Sequence, residues 1–142
     1  MMRNDHFDES TVEQAAKEWL AEIGFHTGYA PVDAAVEDVR DSLGDCILWS
    51  HVANALTRLN PGVDPDLVRS AVARIQRAES QDGMSENQRL YELMVRGVPV
   101  ETTGDDGRPS TVRLQLVDFD TPGNNDWRAL NQFTIIEAGH NR

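Results

Sequence analysis

Between polar neighbours, Val12, Ala15, Ala16, Trp19, Leu20 and Ile23 recur at helical spacing as one apolar stripe. Ser10-Thr11-Val12-Glu13 reads as a capping box at its start: Ser10 accepts from the N–H three residues on, and Glu13 reaches back to the cap N–H. Gly24 supplies a left-handed stop. The pattern predicts a helix from about Ser10 whose stripe, Trp19 included, faces a core. Phe25 to Pro31 reads as extended or looped, and residues 30–46 mix small and acidic side chains with no clear face. A second helix follows from Leu48, Val52, Ala55, Leu56 and Leu59 within 47–59, closed by Asn60-Pro61-Gly62. Asp64 before Pro65 is an N-cap with proline in the first turn, and Val68, Ala71, Val72 and Ile75 give the inward face of a third helix. Gln81-Asp82-Gly83 is a turn, and a fourth helix runs from about Glu86 to Arg96 with Leu90, Leu93 and Met94 on one side and Gly97 at its end.

After Gly97 the period changes from helical to alternating. Val98 and Val100, then Val112, Leu114 and Leu116, then Phe133 and Ile135 read as strands, with Gly104-Asp105-Asp106-Gly107 as a hairpin loop and 121–126 as a longer one. The prediction is an α+β chain: helices over about 10–96, then an antiparallel β-meander over about 97–137, in one domain spanning 1–142.

Charge and composition narrow what such a chain does. Acidic residues outnumber basic ones 24 to 13, for a net charge of −11, the reverse of the footprint of a protein that grips phosphates unaided. Isolated, the chain is expected to bind DNA more weakly than ordinary non-specific binders. No apolar run approaches the roughly 20 residues that cross a bilayer, and the start lacks a secretory leader, so a cytoplasmic protein is expected. Cys46 is the single cysteine and reads as a buried or half-buried thiol. His6, His26, His51 and His140 are isolated, without metal-ligand spacing. Lys17 is the sole lysine, so no Gly-Lys-Ser/Thr phosphate loop and no Glu-x-Lys exists in these 142 residues.

Four segments together resemble the N-terminal region of type I restriction endonuclease R (restriction/motor) subunits. They are 9–16 with Trp19-Leu20 and Gly24; Ala55-Leu56-Thr57-Arg58-Leu59-Asn60-Pro61; Glu86-Asn87-Gln88-Arg89 with 96–101; and Val112 through Asp118-Phe119-Asp120 and 124–126 to 131–137 and 139–142. The resemblance implies a nuclease domain of the PD-(D/E)XK kind, here incomplete, in a subunit that translocates and cleaves unmodified double-stranded DNA with magnesium and ATP. It implies modification and specificity subunits as partners. A carboxylate on the opening helix would fall on Glu13 as an auxiliary site residue. The family's Asp and Glu-x-Lys are expected just after Arg142, so this chain alone is expected to be inactive and to bind neither cofactor.

Other candidates carry plainer explanations. Glu13 also fits its capping box, and Glu9 is its neighbour. Gln132 and Glu137 lie on the last predicted strand, where polar residues commonly face solvent. Asp118 and Asp120 resemble a metal-binding pair, yet an Asp-x-Asp before Pro-Gly-Asn-Asn is commonly turn chemistry. His140 reads as a loop residue, and Trp127 as packing on the sheet or on a further part of the protein. A second function stays open: a stand-alone acidic interaction or inhibitor module that docks on a restriction complex.

Overall fold

The computed structural model describes residues 8–35 and 39–137, and the backbone of 140–141; the side chain of His140 lies outside the described residues. The chain forms two compact units, one from 1–46 with 126–142 and one from 47–125.

In the 47–125 unit, α3 (Trp49–Leu59), α4 (Pro65–Gln76) and α5 (Gly83–Arg96) accompany an antiparallel hairpin of β2 (Val98–Thr103) and β3 (Pro109–Leu114), with Val98 opposite Leu114. The inward positions read from periodicity, Leu56, Val68, Ala71, Ile75, Leu93, Val98, Val100 and Leu114, are the buried core. Asp64 caps α4 as expected, accepting from Asp66 N. Helix α5 begins a turn earlier than its apolar pattern, because Asp82 accepts from both the amide and the hydroxyl of Ser85 and so caps it. Met94, expected inside, is exposed.

Two polar groups fasten this unit. Arg89 reaches back to the carbonyls of Arg74 and Ile75 at the end of α4, and pairs at 2.9 Å with Glu86, which accepts from the amides of Glu79 and Ser80. Burial pushes the Glu86 carboxyl up, but these N–H donors and the guanidinium outweigh it and hold the group below its ordinary range. Asn60 does more than end α3: its amide donates to the Leu56 and Gln115 carbonyls and accepts from Gln115 N, as a further rung beyond β3.

In the other unit, α1 (Glu9–Glu22) is followed by β1 (His26–Tyr29), the single turn α2 (Ala30–Asp33), β4 (Arg128–Asn131) and the short pair β5 (Ile136–Glu137) and β6 (His140–Asn141). The α+β class holds, with the third predicted strand altered. Phe133 to Ile135 are not in a strand; β4 lies before them and pairs in parallel with β1, His26 opposite Arg128 and Tyr29 opposite Asn131, instead of extending the hairpin. A parallel partner about a hundred residues away leaves no turn signal in the sequence. Phe25 and Trp127 flank this pair with ring centroids 6.0 Å apart.

The stripe of α1 departs from expectation. Val12, Trp19 and Ile23 are 60%, 68% and 73% exposed, and no residue of α1 is fully buried. Cys46 is likewise exposed rather than buried. Among the described residues no helix is long and apolar enough to cross a membrane.

Candidate functional site

The exposure of the α1 stripe follows from which side of the helix is used. The capping box does not form. Asp8 caps α1 instead, its Oδ1 accepting from Thr11 N at 2.9 Å and from the hydroxyls of Ser10 and Thr11 at 2.8 Å each. These bonds, the Thr11 hydroxyl foremost, hold the Asp8 carboxyl below its ordinary range. With the first turn satisfied two residues earlier, Glu13 is released from capping.

Glu13, Lys17 and Leu20 are half-buried and, at i, i+4 and i+7, share a side of α1. Glu13 meets the end of β4: its Oε2 accepts from Asn131 Nδ2 at 2.9 Å and its Oε1 from Gln132 Nε2 at 2.7 Å. Lys17 Nζ donates to Asn131 Oδ1 at 3.4 Å, so one amide bridges the lysine and the carboxylate. Gln132 stands in the left-handed region, φ 57°, where a residue with a β-carbon carries about 1–2 kcal/mol of strain. That turn brings two consecutive side chains, which would point to opposite faces in a continued strand, onto one carboxylate.

Chemically, this is a carboxylate whose two oxygens are each fixed by a neutral amide and whose remaining lone pairs stay available to a further donor or a hard cation. Among the described residues no three His, Cys, Asp or Glu side chains are close enough to hold a metal ion. Glu13 is therefore one oxygen ligand, too few for magnesium by itself, which demands near-octahedral oxygen coordination.

The other sequence candidates are not brought to this point. Glu9 is exposed in the first turn of α1, and Glu137 is exposed in β5. Asp118 makes the turn that its sequence context suggested: its Oδ1 accepts from Asp120 N and Thr121 N, and its Oδ2 from Asn124 Nδ2. Asp120 presents its amide, not its carboxylate, to Asp118, so the two acids do not form a chelating pair.

The Thr121 amide first, then the Asn124 side chain, hold the Asp118 carboxyl below its ordinary 3.8. A group with a depressed folded-state pKa contributes stability above its unfolded value, which is lost as pH falls through the folded value. The Thr121 amide proton should consequently titrate with an inflection below 3.8 and stop doing so in Asp118→Asn. An inflection at or above 3.8, followed by NMR, would mean that the turn is not closed in solution.

Asn131 had no site role in the sequence reading, and Lys17 stood out only as the sole lysine; a polar pair directly before an alternating segment was the one available signal. An α+β chain with a fixed, half-buried carboxylate between its opening helix and a late strand is the class of domain defined by these contacts. Residues 6–142 match the family described as type I restriction enzyme R protein N terminus, and the chain belongs to that family. It is 30% identical over 131 residues to the type I restriction enzyme HindI endonuclease subunit of Haemophilus influenzae, covering 90% of this chain and 12% of that subunit. It is 23% identical over 128 residues to a Methanocaldococcus jannaschii protein provisionally named type I restriction enzyme MjaIXP endonuclease subunit, again covering 90% of this chain and 12% of the relative. The chain thus spans about an eighth of the length of these relatives. No solved structure matches it.

Proposed function

We propose that this chain serves restriction-modification as part of the nuclease domain, of the PD-(D/E)XK kind, of a type I R subunit, with Glu13 as an auxiliary carboxylate of the cleavage site. The observation that carries the reading is the release of Glu13 from helix capping and its fixing by Asn131 and Gln132. A carboxylate needed only as a cap has no use for two amide donors from a segment 118 and 119 residues away. Its role is positional: it presents an oriented anion, and the Asn131 bridge keeps Lys17 beside it without an ion pair.

In the intact subunit, magnesium would be held mainly by the family's Asp and Glu-x-Lys, and ATP by its motor. No Glu-x-Lys occurs in these 142 residues, and no step is assigned to the metal here. The partners in this reading are the modification and specificity subunits and duplex DNA. Alone, the 142-residue chain is expected neither to cleave DNA nor to hydrolyse ATP.

The test uses an intact R subunit carrying this segment, assembled with its partners. Glu13→Gln should lower cleavage of unmodified plasmid by about 100-fold and leave ATP hydrolysis unchanged within roughly twofold, while Asn131→Ala, which only loosens the carboxylate, should lose about tenfold. Cleavage at the parent rate in Glu13→Gln would remove Glu13 from the site.

The second reading, an acidic module that docks on a restriction complex, is favoured by one observation: the exposed Val12, Trp19 and Ile23 on α1, flanked by Glu9, Glu18 and Glu22. Full cleavage by an R subunit lacking this segment would support it over the first.

A further inference from the structure

Arg40 is buried, with 4% of its surface exposed, and no carboxylate pairs with it among the described residues. Its Nε donates to Ala34 O at 2.8 Å, and its Nη1 to Thr134 O at 2.9 Å and Asp45 O at 3.3 Å. The guanidinium carbon lies 4.6 Å from the centre of the Phe133 ring. These partners orient the guanidinium, and among the described residues none neutralises its charge, which is costly for a buried cation. Nη2 donates no hydrogen bond to any described group.

Beside it opens a cavity of about 300 Å³ lined by Pro31, Ala34, Ala35, Leu43, Gln132 and Thr134 together with Arg40. Among the described residues the lining contains one cation and no acid. That is notable in a unit holding thirteen acidic residues against five basic ones. Of the described acids on the flanking segments, Asp33 and Asp45 are committed to backbone amides, Asp33 to Tyr29 N at 2.7 Å and Asp45 to Ser42 N at 2.9 Å, and Asp41 is exposed. The same cavity is lined by Gln132, whose amide holds Glu13.

From this cationic cavity, which no described acid lines and which shares Gln132 with the Glu13 carboxylate, we propose that Arg40 anchors a binding site for one phosphate group. With Nε and Nη1 spent on carbonyls, the two N–H groups of Nη2, held in the fixed guanidinium plane, are the donors left for an oxyanion, and at the low end of the roughly 300–1,000 Å³ range of ligand pockets the cavity admits a single small group. The preference for phosphate over carboxylate rests on the nuclease reading above; the existence of an anion site does not.

The test is NMR on the 142-residue chain, following the Thr134 amide during titration with inorganic phosphate. A saturable shift with an affinity near millimolar is expected; it should weaken at least about tenfold in Arg40→Lys, which cannot hold the carbonyls and present a further planar donor at once, and vanish in Ala35→Leu, which fills the cavity and leaves Arg40 in place. Unfolding temperatures confirm that each variant is folded, and if Arg40→Lys is not, Ala35→Leu decides. No saturable shift in the parent, undiminished binding in Ala35→Leu, or acetate binding as tightly as phosphate would each overturn the proposal. A short DNA duplex that displaces phosphate identifies a backbone phosphodiester as the source, and failure to displace it identifies free phosphate; either result upholds the site. Glu13→Gln should still bind phosphate, so loss of the nuclease reading and loss of this site are separate outcomes.

Discussion

Replacing Gly97 by alanine is expected to destabilise the chain by about 3 kcal/mol, seen as a fall of roughly 10 °C in unfolding temperature. Gly97 ends α5 with φ 81° and ψ 163°, a region essentially closed to residues with a β-carbon and worth about 1–3 kcal/mol of strain. An added Cβ would also stand 2.9 Å from the carbonyl oxygen of Leu114. That oxygen is backbone in a strand whose register places Leu114 opposite Val98, so it cannot retreat without disturbing the first rung of the hairpin. Against these costs stands only the entropy gained by restricting the unfolded chain, about 0.4–1 kcal/mol. The strain and the contact win. An unfolding temperature within about 2 °C of the parent would show that the helix-to-strand junction has another conformation in solution.

Leu56→Ala should cost about as much or more, roughly 3–4 kcal/mol, by a different route. Leu56 is fully buried at 0% exposure on α3, among Val68, Ala71 and Ile75 of α4 and Val98 and Val100 of β2. Truncation removes three heavy atoms and leaves a void bordered by helix and hairpin, neither of which collapses without loss elsewhere. For a domain with a total stability of about 5–15 kcal/mol, this is a large fraction. Ala55, its sequence neighbour on the same helix, is half-buried and should tolerate serine with little change. Chemical denaturation of both variants checks the pair; equal midpoints would mean that the face assignment of α3 is wrong.

How much of this was legible beforehand is clearest helix by helix. The turns of the 47–125 unit are written locally. Asp64-Pro65 starts α4, Asn60-Pro61-Gly62 ends α3, and Gly97 separates helical from alternating periodicity, because capping and backbone restriction act within a few residues. The inward faces of α3 and α4 were also readable, since one core absorbs one stripe. Membership of the restriction-subunit family was carried by the order and spacing of such local segments, which is a property of sequence alone.

Tertiary structure decided what sequence periodicity does not encode. An apolar stripe shows that a helix has a face, not what covers it; on α1 the polar side carrying Glu13 and Lys17 meets β4, while Val12, Trp19 and Ile23 remain outside. Ser10 and Glu13 had the spacing of a capping box, but Asp8 supplies a charged acceptor two residues earlier and starts the helix there by accepting from Thr11 N, so Glu13 became available to Asn131 and Gln132. The parallel pairing of β1 with β4 and the burial of Arg40 beneath Thr134 join segments about a hundred residues apart, for which no local turn or spacing exists. The sequence by itself determined the four longer helices, the β2–β3 hairpin and the family; the side of α1 that faces β4, and with it the candidate site, was decided by long-range hydrogen bonds competing with local ones and winning.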